Sequence, residues 1–475
     1  VLRLDLSGGN QLVHFLFHEL KTGSSTEDGQ YAFPMVSAPR EFAVLFLVRQ
    51  EQPGDFAERR LEKDRVFTGL KPTDRRLAQE LVLGVLRWRE TLDELIAERT
   101  DGRPTPLVPR ILLRLGIYQL LWLDRIPDHA VVHDSVELSR RLGFPAQSGF
   151  VNAVLRNVIR DREATRQRLE HLQRTEPARG WSLPSWLVAR WASRYSPDEL
   201  QTLCRRVNTP PPLFARINRL KTTPEQILSR WDSEGVHHEE RCLDWVEPGS
   251  VHELSGGATL SGLGSFLDGG FYVQDPSTLL AVRELDPRPG ESILDLCAAP
   301  GGKTLYTAER LGNAGRIVAH DTSEGRLALL RGNALRLGAT CVSAVSSLPA
   351  PFPEFDGILV DAPCSNTGVL RRRVELRWRL DPAEFQRLAE VQVALLDDAA
   401  LRIRPGGRIL YSTCSLEPEE NGDVVRRFLT SHPGFTVETQ RTLDPVRDGV
   451  DGAFVARLRA PGSSGPRGSG TPAVV

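Results

Sequence analysis

The stretch Leu294-Asp295-Leu296-Cys297-Ala298-Ala299-Pro300-Gly301-Gly302-Lys303-Thr304 decides how the chain is read. A short apolar run passes into a turn of small residues and then into a helical pattern, so a buried strand hands over to a helix whose first amides can face a ligand. Nineteen residues beyond Gly302 stands Asp321, at the end of the next apolar run, Ile317–His320. A carboxylate there suits a ribose diol. Further runs at Gly357–Asp361 and Ile409–Ser412 alternate with helices, the rhythm of a βαβ sheet. These signals bind nucleosides of several kinds and do not by themselves name one. Gly302-Lys303-Thr304 also matches the end of a phosphate-binding loop, with Asp361 as a possible magnesium partner. That pattern needs a Gly where Cys297 stands, and Pro300 stiffens the turn, so an NTPase is set aside.

Outward from this core, 475 residues suggest about three domains. A content of 40% hydrophobic and 25% charged residues is that of a globular chain. The longest apolar run, Phe42 to Val48, is far short of the roughly 20 residues that cross a bilayer. No secretory pattern opens the chain, and the expected location is cytoplasmic. Six cysteines without a CxxC pair argue against a disulfide scaffold or a zinc site, and no metal is expected.

The net charge of −1 conceals an asymmetry: residues 151–220 hold 13 Arg and no Lys against 6 acids. A second knot, Arg371-Arg372-Arg373-Val374-Glu375-Leu376-Arg377-Trp378-Arg379, sets five Arg around one Glu. Solvated helix faces would account for either alone; both together, flanking a catalytic-looking core, lean toward a phosphate backbone. Only five of the 60 basic residues are Lys, yet one, Lys303, sits in the central motif, which suggests a need for an ammonium there.

Helical spacing dominates from Pro39 to about Asp161, with Leu77, Leu81 and Val85, and again Val151, Val154, Leu155 and Val158, on single faces. Thr209-Pro210-Pro211-Pro212 breaks the arginine-rich helices that follow, and Leu213–Asn218 could be a strand. The expected organisation is a poorly structured extension over 1–39, an all-α domain over 40–165, a small α+β linker domain that binds RNA over 166–270, an α/β Rossmann-like domain over 271–460 and a disordered tail over 461–475. The sole Met, Met35, stands just before the first periodic helix, so residues 1–34 are read as an upstream extension outside the fold.

Two cysteines follow strand ends: Cys364 in Val360-Asp361-Ala362-Pro363-Cys364-Ser365, and Cys414 in Ile409-Leu410-Tyr411-Ser412-Thr413-Cys414-Ser415. Cys204, Cys242 and Cys341 are read as small buried filler. Cys364 and Cys414 lie instead at the rim where open α/β sheets hold ligands; if their strands are neighbours, both thiols and Asp361 converge beside the nucleoside pocket. Two thiols and an acid suit methylation at carbon 5 of cytosine. A thiolate adding to carbon 6 makes carbon 5 nucleophilic, an acid at nitrogen 3 stabilises the adduct, and a base removes the carbon-5 proton before the thiol leaves. The base must be unstacked, which looped RNA permits. These residues alone do not choose which thiol attacks.

In order, the motifs QDPST, LDLCAAPGGKT, DAPCSNTGV and YSTCSLEPEEN resemble those of the S-adenosylmethionine-dependent RNA cytosine-C5 methyltransferases, and within them the bacterial 16S ribosomal RNA branch of Sun/Fmu (RsmB) type. RRLAQELVLGVLRW and FVNAVLRN resemble its NusB-like RNA-binding domain, so the resemblance covers about residues 40–460. It implies that Cys414 attacks carbon 6, Cys364 assists release, and Asp361 holds the cytosine edge against the cofactor. It also implies that Cys297, Ala298, Ala299, Pro300, Gly301, Gly302 and Lys303 cradle the methionine part of S-adenosylmethionine, with Asp321 on the ribose. Arg216, Arg219, Arg371, Arg372 and Arg373 are expected RNA contacts, 16S ribosomal RNA the expected partner, and a monomer the expected state. Two departures stand out: Ser346 and Ser347 lie where the family commonly has an acid on the adenine, and Gly452-Ala453-Phe454 lacks a second Phe. A non-catalytic ribosome-assembly factor is the competing class; intact Cys364, Asp361 and Cys414 speak against it.

Overall fold

The computed structural model describes residues 37–52, 54–256, 259–348 and 354–462. The extension expected over 1–39 and the tail over 461–475 lie mostly outside these residues, although Ala38 and Pro39 open a helix. The chain divides into two compact units, at Arg194/Tyr195.

The first unit is helical. Its centre is the helix Leu107–Trp122, with Ile111, Leu112, Leu113, Leu115 and Ile117 all buried. Glycines let neighbours approach it. A Cβ on Gly84, in the helix Pro72–Arg87, would come within 2.1 Å of the Tyr118 ring, and one on Gly116 within 2.6 Å of Leu155. Arg114 is buried in the same helix because Asp93 takes two of its N–H groups, at 2.7 and 2.6 Å, and Glu51 a third at 2.7 Å. The helix Arg162–Thr175 and the turns after it pack onto this bundle: Trp88 meets Trp181 at 5.8 Å, and Thr91 Oγ1 donates to the Arg179 carbonyl at 2.8 Å. The compact unit thus continues to Arg194.

The second unit opens with the helix Pro197–Asn208, capped by Ser196 and Glu199 and ended before the proline run. A four-stranded antiparallel sheet follows, built from β1 (Leu213–Ile217), β2 (His237–Glu240), β3 (Val251–Ser255) and β4 (Phe271–Val273) in the order β2-β3-β1-β4. One of its faces buries Ala215, Ile217, Trp231 and Phe271 with the helix Pro224–Ser233.

Seven strands form the larger sheet: β5 (Ser292–Asp295), β6 (Arg316–His320), β7 (Val342–Val345), β8 (Phe355–Asp361), β9 (Ile403–Thr413), β10 (Thr436–Leu443) and β11 (Ala453–Arg459), in the order β10-β11-β9-β8-β5-β6-β7. The pairs from β7 through to β9 are parallel, while β11 is antiparallel to both neighbours. Successive residues feed opposite faces. Ile293, Leu359 and Leu410 pack with the helices Leu279–Leu285 and Gly302–Arg310; Leu294, Ile358 and Ile409 pack with Pro382–Ala400 and Gly422–Ser431. Burial on both faces explains why these strands read as unbroken apolar runs. From β5 the chain winds out through β6 to β7 and returns on the other side at β8, so the ligand crevice of the sheet opens at the carboxyl ends of β5 and β8.

Two expected RNA contacts require correction. Arg216, on β1, is 1% exposed, pairs with Glu309 and lies 4.6 Å over the Tyr306 ring. Arg371 is buried too: it and Arg372 bind both Asp275 and Asp451, at 3.1 Å for Arg371 to Asp275, 2.9 Å for Arg372 to Asp275 and 2.5 Å for Arg372 to Asp451. Two guanidiniums and two carboxylates neutralise each other there, leaving Arg371 unavailable to a polyanion. Arg372 is held in the same cluster with its side chain 31% exposed, whereas Arg219 and Arg373 are exposed. Cys242, expected to be buried filler, is exposed as well. Arg371→Ala leaves two buried carboxylates sharing one partner and should cost about 3–5 kcal/mol of unfolding free energy. Denaturant titration measures that loss, and the salt dependence of RNA affinity should keep its slope, which removing a phosphate contact would lower by about one.

Candidate active site

The turn after β5 is hydrogen-bonded to both neighbouring strands. Leu296 N–H donates to the Leu359 carbonyl of β8 at 3.0 Å, and Ala298 N–H to the His320 carbonyl of β6 at 2.9 Å. Gly301 then adopts φ +110°, a left-handed conformation that suits glycine, and the helix Gly302–Arg310 begins. A Cβ on Gly302 would lie 3.4 Å from both Gln274 Oε1 and the Tyr272 ring. Both polar atoms of the Gln274 amide are buried without a hydrogen-bond partner. Burial also pushes the Cys297 thiol up to about 12.

Asp295 closes the floor of the turn. Its Oδ2 accepts from Thr304 Oγ1 at 2.7 Å, its Oδ1 is buried and unpartnered, and burial lifts its pKa to about 7. At the end of β6, Asp321 Oδ1 accepts from Ser323 N–H and from Arg326, both at 2.8 Å, while Oδ2 has no protein partner among the described residues. Ser346 and Ser347, just beyond β7, are exposed.

Strands β8 and β9 are parallel neighbours with Asp361 opposite Ser412. Asp361 accepts from Ser412 Oγ at 2.8 Å and from Lys303 Nζ at 2.7 Å. Burial lowers the Lys303 pKa, but Asp361 first, then Cys414 and Asp295, together more than offset it, so the ammonium is held above its usual range. The same pairing brings the next residues together: Cys364 Sγ lies 3.3 Å from Cys414 Sγ, and both residues are half-buried. Cys414 N–H points at Cys364 Sγ at 3.4 Å, and Cys414 Sγ donates to Asn366 Oδ1 at 3.1 Å. Asn366 is held in a left-handed conformation, its Nδ2 donating to the Cys364 carbonyl at 2.6 Å. The hydrogen bond to Cys414, then burial, push the Cys364 thiol well above its ordinary value.

The structure thus brings Cys364, Cys414, Asp361 and Lys303 together, with Cys297–Gly302 forming the adjoining turn and Asp321 ending the next strand; Arg216 and Arg371 are turned into the protein. Sequence reasoning gave no role to Asn366, Ser412, Asp295, Gln274 or Glu420. All five lie within quoted motifs; the signal was polar side chains in and beside buried strand ends, where each must find a partner.

Residues 282–461 match the family described as 16S rRNA methyltransferase RsmB/F, 37–160 the NusB family, and 183–244 the ferredoxin-like domain of RsmF/B-like methyltransferases. The chain is 36% identical over 406 residues to the ribosomal RNA small subunit methyltransferase B of Pectobacterium carotovorum, covering 81% of this chain and 90% of that protein. The enzyme of the same name from Vibrio cholerae is 34% identical over 410 residues, covering 82% and 90%. The crystal structure of PH0851 superposes with a TM-score of 0.70 at 25% identity, covering 90% of this chain and 99% of that one. Strands β1 and β2 of the small antiparallel sheet fall within the ferredoxin-like match, and among the described residues no helix is long and apolar enough to cross a membrane. The chain belongs to the RsmB family of S-adenosylmethionine-dependent 16S ribosomal RNA methyltransferases.

Proposed function

We propose that the chain methylates carbon 5 of a cytosine in 16S ribosomal RNA through a covalent bond between Cys414 and carbon 6 of that base. The observation that carries this reading is the 3.3 Å separation of two half-buried thiols beside the crevice of the sheet.

The residues around the turn fit S-adenosylmethionine. Gly302 presents no side chain toward the unpartnered Gln274 amide, the left-handed Gly301 carries the chain into the helix, and Asp321 keeps one carboxylate oxygen for a ribose hydroxyl. Cys297 through Lys303 would line the methionine part. When bound, the cofactor supplies an electrophilic methyl on sulfonium.

Carbon 5 of cytosine cannot take that methyl unaided. The Cys414 sulfur adds to carbon 6, and the electron pair moves toward carbon 5. Asp361, with the Lys303 ammonium on its Oδ2, faces the polar edge of the ring and favours protonation at nitrogen 3. Once carbon 5 carries the methyl, its proton must leave. Cys364 is suited to this step because the influence that most raises its pKa is Cys414 itself. When Cys414 becomes a thioether that influence disappears, so Cys364 gives its own proton to solvent and takes the carbon-5 proton, while the C6–S bond breaks and its electron pair returns to the Cys414 sulfur. Arg219 and Arg373, both exposed, are left as the phosphate contacts of the five expected arginines, with Arg372 a partial third.

Cys364→Ala should accumulate a covalent RNA adduct on a denaturing gel, because addition proceeds and release stalls, while Cys414→Ala should give neither adduct nor labelled product. The reverse pattern exchanges the two roles. Asp321→Ala should lose binding of S-adenosylmethionine by isothermal titration with the fold retained by circular dichroism; undiminished binding removes it from the ribose. In Cys414→Ala the midpoint of the pH curve for iodoacetamide alkylation of Cys364 should move down, since its largest raising influence is gone; an unmoved midpoint shows that Cys414 does not hold the Cys364 proton.

A further inference from the structure

Glu420 is a carboxylate with 0% exposure inside the second unit, six residues beyond Cys414. Its surroundings explain how it tolerates burial. Oε1 accepts from Ser365 N–H at 2.8 Å and from Gln392 Nε2 at 3.2 Å; Oε2 accepts from the hydroxyls of Ser365 and of Ser415, the latter at 2.5 Å. Four donors on two oxygens satisfy its hydrogen-bonding capacity, although burial still raises its pKa. The donors are not scattered. Ser365 directly follows Cys364, Ser415 directly follows Cys414, and their hydroxyls stand 3.1 Å apart. Gln392, from the helix Pro382–Ala400, also donates to the carbonyl of Pro363, just before Cys364, at 2.9 Å. Tyr411, on β9, donates its hydroxyl to the Glu420 carbonyl at 2.5 Å.

We propose that Glu420 is the positioning residue for the two thiols: by gathering the Ser365 and Ser415 hydroxyls onto one carboxylate oxygen, it fixes Cys364 against Cys414 and so sets the geometry of the release step. The proposal rests on the two-thiol reading above. Glu420 touches neither reacting atom and acts through the two serines. Of the two thiols, addition to carbon 6 needs only Cys414, whereas release needs Cys364 correctly placed against the carbon-5 proton of a base already bonded to Cys414. Loosening the staple therefore slows release more than addition, and adduct builds up although both thiols are present.

The test uses the full chain, a 16S ribosomal RNA transcript and labelled S-adenosylmethionine, with Glu420→Ala, Ser415→Ala and Cys364→Ala beside the wild type. Glu420→Ala should lower kcat about tenfold to a hundredfold, as misplacement of a reacting group by a fraction of an ångström does. KM for RNA and the Kd for S-adenosylmethionine should stay within about twofold of wild type, and a covalent RNA adduct should become visible on a denaturing gel. Ser415→Ala removes a single donor, so it should show the same pattern in weaker form, and it carries the test if Glu420→Ala does not fold. Wild-type kcat without adduct in the folded variants overturns the proposal. So does an equal loss of cofactor binding and kcat, which general disruption of the domain would give. If Cys364→Ala gives adduct and the Glu420 and Ser415 variants do not, only the role of Glu420 falls; if Cys364→Ala gives none while the wild type methylates the RNA, the two-thiol reading falls and takes this proposal with it.

Discussion

The parallel pairing of β8 with β9 is the constraint on which the site depends. Residues far apart in sequence, Asp361 and Ser412, face each other across one ladder, and everything that follows each strand end is then forced into one small volume. A one-residue slip would turn the alternate side chains of β9 to the opposite face of the sheet and put Leu410 and Tyr411 in each other's core. The apolar burial on both faces is therefore what holds the chemistry of the rim in register.

The strand ends were legible because strands covered on both faces have little choice of residue, so Ile293–Leu296, Ile317–Ala319 and Ile358–Val360 stand out against polar helices. β10 was not legible: seven of its eight residues, Thr436 to Thr442, are exposed or half-exposed, and it reads as a polar segment. The inward turn of Arg371 was hidden for another reason. A run of arginines looks alike whether its partners are phosphates or carboxylates, and its partners Asp275 and Asp451 lie 96 and 80 positions away. Glu420 was quoted within a motif, but its meaning comes from Ser365, 55 positions distant.

The distribution of cations gains sense in this light. Arginine serves the buried pairs with Glu309, Asp275 and Asp451 and the partly buried pair with Asp93, where a flat fork can engage two acceptors or lie over a ring. Lysine is kept at Lys303, where a compact ammonium meets one oxygen of Asp361 and leaves that carboxylate room for another donor. The rarity of lysine elsewhere makes this division visible.

The wall behind Cys414 is finished by a segment late in the sequence. Gly368 donates its N–H to the Cys414 carbonyl and accepts from the Gly452 N–H, both at 2.9 Å, and Phe454 of β11 pairs with Thr413. Because β11 inserts between β9 and β10, a chain emerging from the ribosome can lay down β5 to β9 while the thiol pair is still unsupported on that side. The backing that seats Cys414 is therefore completed only by residues 38 to 40 positions beyond it, Gly452 to Phe454.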